Sequence, residues 1–400
     1  MRPRDFNESP FIAIWEVTQA CALACNHCRA EAIDCHDPDE LTFDEGVALI
    51  DRIADMGTHV LVFSGGDALQ RDDLEDLIRH AKRRGLRAAT IPAATPRLTR
   101  ARVQSLKNAG LDQMALSVDA ADAKRHDWFR GVEGSFALTQ RGAGYARDAG
   151  LPLQINTVFS GWNWNNFDAM AELVQDWGAV FWEVFFLVPM GRATEAARPA
   201  WNHYVHLYEK IYALQQEVDF IIKVTEAQSY RAFVAERVKE EDGGQAEEEP
   251  LRDILARPVG PHGSLGQAPS AVNAGKGLVF ISHVGDVFPS GFLPRAAGNV
   301  RTNDLAEIYR NAPVFRELRS PMKLKGRCGA CIYRELCGGS RARAHAITGD
   351  YLAPDPDCRL SSNCPLQRAQ FVDGFVHGHD ILGGGHGLEI VAGGADPAAA

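Results

Sequence analysis

Apolar positions follow two patterns along the first half of the chain, short continuous runs and longer stretches that repeat every three to four residues. Short runs of this kind are typical of buried strands, and the longer stretches are typical of helices with one buried face. The two kinds of segment alternate. The predicted strands are 12–17, 59–64, 87–91, 113–118, 153–159 and 180–188, and the predicted helices are 42–56, 71–84, 99–109, 136–149 and 166–177.

This alternation predicts an α/β fold, because strands separated by helices form parallel sheets with crossover connections. Six such units before residue 220 are too few for a complete eight-fold barrel. We therefore expect a partial (β/α)6 barrel whose functional edge lies at the carboxyl ends of the strands.

The composition changes after the predicted barrel. An acidic stretch is followed by one rich in Pro, Gly, Ser and Ala, which indicates a linker or a flexible insertion. Beyond it, 278–282 and 286–288 predict a small hairpin, and 304–319 predicts a helix. The expected division is 1–220 for the barrel, 236–276 for the linker, 277–375 for a smaller C-terminal domain and 376–400 for a disordered tail.

The overall composition is that of an ordinary globular protein, with 46% hydrophobic and 24% charged residues among 400. A membrane helix needs about 18 consecutive apolar residues, and neither such a run nor an apolar signal segment after 1–10 is present. We expect a cytoplasmic protein without a membrane partner. The formal charge of −10 also argues against binding to nucleic acid, which requires a basic surface.

The cysteines are grouped rather than spread as pairs that close loops. Nine are present, an odd number, and seven lie in two tight clusters. Clusters of this kind favour metal sites in a reducing compartment. Of the other two, Cys35 is predicted to be an ordinary loop thiol, and Cys364 lies near the second cluster. The clusters are Cys21, Cys25 and Cys28, and Cys328, Cys331, Cys337 and Cys358.

The first cluster has the spacing C-x3-C-x2-C and follows the first predicted strand directly. In a cubane iron–sulfur cluster each iron takes one thiolate, so three cysteines leave the fourth iron without a protein ligand. An open position on a metal is where a substrate or cofactor binds. A zinc loop is the alternative for an isolated trio of cysteines.

Further motifs accompany this spacing. The second predicted strand ends in Gly-Gly-Asp, and the fourth ends in Ser-x-Asp. Glycines at a strand end let the backbone approach a ligand, and the two-residue spacing places the hydroxyl and the carboxylate on one side of the strand. The residues are Gly65, Gly66, Asp67, Ser117 and Asp119.

Together with His27 before the third cysteine, these motifs resemble the radical S-adenosylmethionine (SAM) superfamily over about the first 220 residues. The resemblance implies a radical SAM barrel with a [4Fe–4S] cluster on the three cysteines and SAM on the open iron. One electron from a donor such as ferredoxin or flavodoxin would cleave SAM to methionine and a 5′-deoxyadenosyl radical, which abstracts hydrogen from a substrate.

The same resemblance implies which residues contact SAM. This chain has Asp67 and Ala68 where the family has Glu and Pro, so the carboxylate is one methylene shorter. The implied contacts are Gly65, Gly66 and Asp67 for the ammonium group, Ser117 and Asp119 for the ribose, and Asn156, Val188 and Arg192 for the adenine and the methionine carboxylate.

The second cluster supplies four thiolates and therefore a closed site, which by chemistry alone suits zinc or a second [4Fe–4S] cluster. Its pattern resembles the SPASM or twitch module of radical SAM enzymes, which favours an auxiliary [4Fe–4S] cluster. Ser290 stands where a full module has another cysteine, so only one auxiliary cluster is expected. Spacing does not decide between Cys358 and Cys364 as the fourth ligand.

The sequence around the second cluster, 329–358, resembles radical SAM enzymes of haem d1 and alternative haem biosynthesis, which alter propionate side chains of a tetrapyrrole. Arginine pairs a carboxylate through two parallel hydrogen bonds, so nearby arginines are candidates for contact with the propionates. Solvated surface arginines are the alternative. The candidates are Arg327, Arg334, Arg341 and Arg343.

Two other functions remain. One is modification of a ribosomally made peptide, although only about ten residues precede the first strand, where many peptide-modifying relatives carry a binding domain. The other is a non-catalytic iron–sulfur or zinc protein. The three-thiolate spacing with Ser117 and Asp119 argues against the latter, because an electron carrier needs neither an open iron nor a nucleoside pocket.

Overall fold

A computed structural model describes residues 5–241 and 272–360, and its strands form one sheet. The strands are β1 Ile12–Glu16, β2 Val60–Ser64, β3 Arg87–Thr90, β4 Gln113–Ser117, β5 Leu153–Phe159, β6 Phe181–Phe186, β7 Ile221–Thr225, β8 Leu278–Ile281, β9 Asp286–Phe288 and β10 Gly298–Asn299. Their order across the sheet is β10-β9-β8-β1-β2-β3-β4-β5-β6-β7.

Helices connect the successive strands from β1 to β8, and four further helices of the described residues follow β10. In chain order the helices are α1 Phe43–Asp55, α2 Leu74–Arg83, α3 Arg100–Asn108, α4 Ala123–Arg130, α5 Ser135–Asp148, α6 Phe167–Asp176, α7 Trp201–Glu217, α8 Ser229–Glu241, α9 Leu305–Asn311, α10 Pro313–Leu318, α11 Gly326–Ala330 and α12 Arg341–Thr348. Within the two described ranges, none is long and apolar enough to cross a membrane.

The predicted α/β fold with a partial barrel is confirmed. From β8 through β1 to β7 each strand runs parallel to its neighbour, and only the β8–β9 and β9–β10 pairs are antiparallel. The start of α1 has the predicted cap, in which the Thr42 side chain accepts from the Glu45 backbone N–H and the Glu45 carboxylate accepts from that of Thr42.

The structure contains elements that the sequence analysis did not predict, namely α4, α7, α8, α11, α12, β7 and β10. The first six residues of the predicted linker, 236–241, belong to α8, so that part of the prediction is wrong. The rest of the linker as far as 271, and the predicted tail at 376–400, lie outside the described residues. The division into a barrel and a C-terminal domain stays a prediction, and β8 pairs directly with β1.

The helix predicted over 304–319 is two helices, α9 and α10. Pro313 opens the second one, and Ala312 before it has extended backbone angles, with φ of −61° and ψ of 136°. Proline lacks a backbone N–H and disfavours helical angles in the residue before it. The apolar periodicity continues across the break, which explains why it suggested a single helix.

Alternate residues of the parallel strands face opposite sides of the sheet. On β1, Ala13 and Trp15 are fully buried in the core formed with the helices, and Trp15 lies against Gly46 of α1. Ile14 and Glu16 face the other, concave side, where Ile14 packs with residues of β2. The helices therefore cover an apolar face, and the concave face is available for polar groups.

The concave face carries a chain of polar side chains from β4 to β7. The Gln113 amide donates to Gln154 Oε1 at 2.6 Å, and the Gln154 amide donates to Asn156 Oδ1 at 2.7 Å and to Glu183 at 3.0 Å. Lys223 donates to the other Glu183 oxygen at 2.8 Å. A buried polar network of this kind fixes side-chain orientations because each member satisfies the next.

Candidate active site

The three cysteines of the first group lie in the loop after β1 and line one cleft of about 230 Å³ at the carboxyl ends of the strands. Cys21 and Cys25 are almost fully buried. The Leu23 N–H donates to Cys21 Sγ at 3.4 Å, and burial raises the pKa of the Cys21 thiol to about 12. A thiolate at this position therefore needs a bound metal to offset its charge.

The Gly-Gly-Asp loop after β2 packs directly on the backbone that leads into the cysteine loop. The Gly66 N–H donates to Thr18 O at 2.8 Å, and the Asp67 N–H donates to Ala20 O at 2.7 Å. A Cβ on Gly66 would lie 2.5 Å from Ala20 O and closer still to Gln19 O. Both glycines line the cleft, but contact between the two loops already excludes a side chain at Gly66.

The loop after β6 holds the other end of the cysteine loop. The Arg192 N–H donates to Cys28 O at 3.0 Å, and Arg192 Nε donates to Cys25 O at 2.8 Å. Gly191 has a φ of 56°, and a Cβ there would collide with Cys28 O. Arg192 lines the cleft, and its buried Nη2 has no hydrogen-bond partner among residues 5–241 and 272–360.

Asp67 does not line the cleft. Its carboxylate is fully buried and accepts hydrogen bonds from Leu69 N at 3.1 Å, Ala93 N at 3.1 Å and the Thr95 hydroxyl at 2.8 Å. Burial raises the pKa of Asp67. These contacts join the loops after β2 and β3, and contact of this carboxylate with SAM stays a prediction.

Ser117 and Asn156 both line the cleft and are paired across β4 and β5. Because Gln154 donates to Asn156 Oδ1, the amide Nδ2 is the group that Asn156 can present to a ligand. Val188 is buried in the main apolar core and does not line the cleft, so its contact with SAM stays a prediction.

Asp119 is fully buried and lies behind Cys25. Strand β4 ends at Ser117, so the two-residue alternation that was expected to place both side chains on one side does not extend to Asp119. Its Oδ2 lies 2.6 Å from Arg130 Nη2 and 3.3 Å from His27 Nε2. Burial alone would raise the pKa of Asp119, but the Arg130 guanidinium lowers it overall.

Arg130 is a site residue that the sequence analysis missed. It ends α4, lines the cleft, and donates from Nη1 to Cys25 Sγ at 3.9 Å. The same segment holds the cysteine loop through hydrogen bonds from Ala24 N to Arg130 O and from Asn26 N to Phe129 O, at 3.1 and 2.9 Å. The capping Asp122 and the terminal Gly131 were sequence signals for this short helix, but nothing local indicated the pairing with Asp119.

Cys328 of the second group lies in α11, and Cys331, Cys337 and Cys358 follow that helix. Cys328 Sγ accepts from Asp355 N at 3.4 Å, Cys331 Sγ from Tyr333 N at 3.4 Å and Cys337 Sγ from Gly339 N at 3.3 Å. Hydrogen bonds from the backbone to sulfur stabilise thiolates and are one of the ways in which proteins tune iron–sulfur clusters.

The four cysteines of this group are partly buried, and burial raises the pKa of Cys337 to about 12 and that of Cys358 well above its usual range. Among residues 5–241 and 272–360, no group of three or more His, Cys, Asp or Glu side chains is arranged to bind a single metal ion. The auxiliary cluster and its ligands stay predictions, and Cys364 lies outside the described residues.

Arg343 and Arg341, two of the four arginines suggested for substrate, are buried among protein partners. Arg343 Nε lies 3.4 Å from Asp355 and 3.0 Å from Asp357, and Nη1 donates to Glu226 O at 2.6 Å. Arg341 donates to Ala353 O at 2.7 Å, and its Nη2 lies 3.7 Å from Cys328 Sγ. Both hold the loop that carries the second cysteine group.

The other two suggested arginines lie nearer the surface. Arg327 is exposed and donates to Asp355 O at 2.5 Å, and Arg334 donates to Gly329 O at 3.2 Å. None of the four lines the cleft that contains the first cysteine group. Their contact with a substrate stays a prediction.

Comparison with known proteins identifies the family. Residues 15–174 match the model of the radical SAM superfamily. An AdoMet-dependent heme synthase of Nitratidesulfovibrio vulgaris is 38% identical over 346 residues, which are 86% of this chain and 90% of that protein. The chain belongs to the radical SAM superfamily.

More distant relatives extend over a similar share of this radical SAM enzyme. An Fe-coproporphyrin III synthase of Methanosarcina barkeri is 29% identical over 88% of both chains. A PqqA peptide cyclase of Methylocella silvestris is 28% identical over 88% of both chains. The crystal structure of Streptococcus suis SuiB bound to S-adenosylmethionine has a TM-score of 0.65 and 15% identity, and it covers 88% of this chain and 78% of that one.

Membership of this family means that the enzyme uses SAM and a [4Fe–4S] cluster, and the residues of the cleft fit both. The three cysteines line one cavity, and the unpartnered Arg192 Nη2 and His27 Nδ1 are buried at its wall. When bound, the cluster supplies the electron that cleaves SAM. The protein supplies the thiolates, a cationic wall and the buried surroundings of Cys25.

Gly66→Ala should reduce both folding stability and iron content, because the new Cβ collides with two carbonyl groups of the cysteine loop. Gly144→Ala is a matched control, since a Cβ on Gly144 in α5 meets nothing within 4 Å. The control should gain about 0.5–1 kcal/mol in the free energy of unfolding. Thermal unfolding and iron analysis after anaerobic reconstitution measure both effects. Wild-type iron content in Gly66→Ala would contradict the close contact.

The double variant Asp119→Asn/Arg130→Gln should lower the reduction potential of the SAM cluster, because it removes the guanidinium that donates to Cys25 Sγ without leaving a buried carboxylate unpaired. We expect a shift of at least about 40 mV, the one-electron equivalent of about 1 kcal/mol. Redox titration followed by electron paramagnetic resonance measures it. An unchanged potential would show that Arg130 only supports the loop.

Arg343→Met should lower the free energy of unfolding by about 3–5 kcal/mol, because it leaves buried carboxylates without a cation. The control Arg79→Met breaks an exposed pair with Asp76 and should change it by less than about 1 kcal/mol. Chemical denaturation followed by circular dichroism compares the two. Equal losses would argue against the structural role of Arg343.

Proposed function

We propose that this radical SAM enzyme acts on a tetrapyrrole and alters its propionate side chains in haem formation. The observation that supports it best in the structure is the charge of the cleft. Three arginines line it, Arg29, Arg130 and Arg192, and no Asp or Glu is among the described residues of its wall. Arginines on the cleft wall suit a substrate that carries carboxylates beside the carboxylate of SAM, because a guanidinium can donate to more than one carboxylate.

The comparisons add independent support for this substrate class. A relative named as a heme synthase is 38% identical, whereas one named as a peptide cyclase is 28% identical over a similar share. Modification of a ribosomally made peptide is therefore the second candidate. The two candidates differ in whether a tetrapyrrole or a peptide is converted when SAM is cleaved.

We further propose that SAM lies against Gly65, Gly66, Ser117, Asn156 and Arg192, which line the cleft together with the three cysteines. Ser117 and Asn156 offer polar groups at neighbouring strand ends, and Arg192 offers a buried, unpartnered N–H. A small redox protein such as ferredoxin or flavodoxin would supply the electron.

For the second cysteine group we propose one auxiliary [4Fe–4S] cluster on Cys328, Cys331, Cys337 and Cys358. Backbone N–H groups donate to the sulfurs of three of these cysteines. Two cubane clusters require about eight irons and eight sulfides per chain, whereas zinc in the second site would leave about four.

The test combines metal analysis with product analysis after anaerobic reconstitution. With dithionite and SAM, the wild-type enzyme should form 5′-deoxyadenosine, and addition of Fe-coproporphyrin III should increase its formation and consume the tetrapyrrole. Absence of tetrapyrrole conversion, with 5′-deoxyadenosine still formed, would contradict the tetrapyrrole proposal and leave a peptide substrate as the next candidate.

Single cysteine changes separate the two metal sites. Cys25→Ala should abolish SAM cleavage, because the SAM cluster loses one of its three thiolates. Cys331→Ala should retain cleavage of SAM but lose its coupling to tetrapyrrole conversion. Liquid chromatography of 5′-deoxyadenosine and of the tetrapyrrole gives both quantities. Equal loss of SAM cleavage in the two variants would contradict a separate auxiliary site.

A further inference from the structure

Arg29 is the residue after Cys28, and its side chain lines the cleft. Nη2 lies 3.0 Å from Glu16 Oε1, and Nη1 donates to Gly291 O at 3.4 Å. The guanidinium also lies over the Phe280 ring, with Cζ 4.6 Å from its centre. A guanidinium has five N–H donors, so these contacts leave donors available on a side chain that is 21% exposed.

The three arginines of the cleft differ in the protein groups that their side chains already bind. Arg130 is paired with the buried Asp119, and Arg192 donates to Cys25 O and to Ala32 O. Both therefore belong to the wall formed with the cysteine loop. Arg29 instead contacts the segment after β9, where its Nη1 donates to Gly291 O.

Two phenylalanine rings stand in the same part of the cleft. Phe185 lies on β6, Phe292 follows Gly291, and their ring centres are 6.0 Å apart. β6 and the β8–β9 hairpin are far apart in the strand order, so this contact brings two distant parts of the sheet together over the cleft. Aromatic faces offer a flat, apolar contact surface.

Glu16 holds the Arg29 side chain in place. The Glu16 carboxylate is buried, and its other oxygen lies 3.1 Å from His283 Nδ1. His283 also lies 3.3 Å from Asp37 through Nε2. Because Glu16 contacts only Nη2 and Gly291 O contacts only Nη1, the side chain of Arg29 is held in place and keeps N–H donors for one further carboxylate.

We propose that Arg29 binds one carboxylate of the substrate, while Phe185 and Phe292 contact the flat ring system beside it. This subsite rests on the proposed function, since it assigns a tetrapyrrole propionate to Arg29. It differs from the arginines suggested near the second cysteine group, none of which lines the cleft. It also assigns the segment after β9 a direct part in substrate binding.

The experiment compares binding of Fe-coproporphyrin III with binding of its fully methyl-esterified form, in the reconstituted holoenzyme with SAM present. The wild-type enzyme should bind the free acid at least about tenfold more tightly than the ester, a ratio that corresponds to about 1.4 kcal/mol. Arg29→Gln should weaken binding of the free acid about tenfold and leave binding of the ester within about twofold. Arg29→Lys, which keeps the charge, should lie between them.

Three measurements distinguish this role from others. Arg79→Gln, on an exposed helix surface, should leave both affinities unchanged. Circular dichroism, iron content and SAM affinity of Arg29→Gln should match the wild type. Weaker SAM binding in Arg29→Gln would overturn the proposal by showing that Arg29 binds the SAM carboxylate instead.

The remaining outcomes distinguish failure of the Arg29 subsite from failure of the proposed function. Equal weakening of acid and ester in Arg29→Gln, or no weakening of either, would overturn direct contact with a carboxylate while the proposed function stands. If the wild-type enzyme neither binds nor converts Fe-coproporphyrin III, the proposed function fails and the substrate assigned to Arg29 fails with it.

Discussion

The close backbone contact between the cysteine loop and its neighbours is the constraint on which the site depends. The loop after β2 packs on residues just before Cys21, the end of α4 binds the loop around Cys25, and the loop after β6 binds Cys28 O. Each contact comes from the carboxyl end of the barrel. Three thiolates can share one cleft because the barrel fixes their loop from three sides.

Charged side chains lie beside the cysteine loop. The fully buried Asp119 pairs with Arg130, which is mostly buried, and Arg130 joins the pair to the sulfur of Cys25. Removal of one partner would leave a buried charge, so the pair is costly to break. Arg192 and Arg29 also line the cleft, so three arginines lie beside the cysteines although the chain as a whole has a formal charge of −10.

The C-terminal part of the described chain completes this architecture. β8 pairs with β1, and the segment after β9 brings Phe292 to the cleft wall and Gly291 to Arg29. Arg343 Nη1 donates to the carbonyl oxygen of Glu226, the residue after β7, and this hydrogen bond joins the second cysteine group to the sheet. Both cysteine groups are therefore attached to the same sheet.

Local pattern determined the alternation of strands and helices, the Thr42 cap, the hairpin around Gly285 and the radical SAM family, because periodicity, capping and C-x3-C-x2-C are short-range features of the sequence. Local motifs also indicated Ser117 and Arg192, both of which line the cleft. Only the tertiary structure decided that Asp119 faces Arg130 rather than the cleft, and that Arg343 is buried among carboxylates. Such pairings join residues that are far apart in the chain or lie beyond a strand end, where periodicity no longer fixes the direction of a side chain.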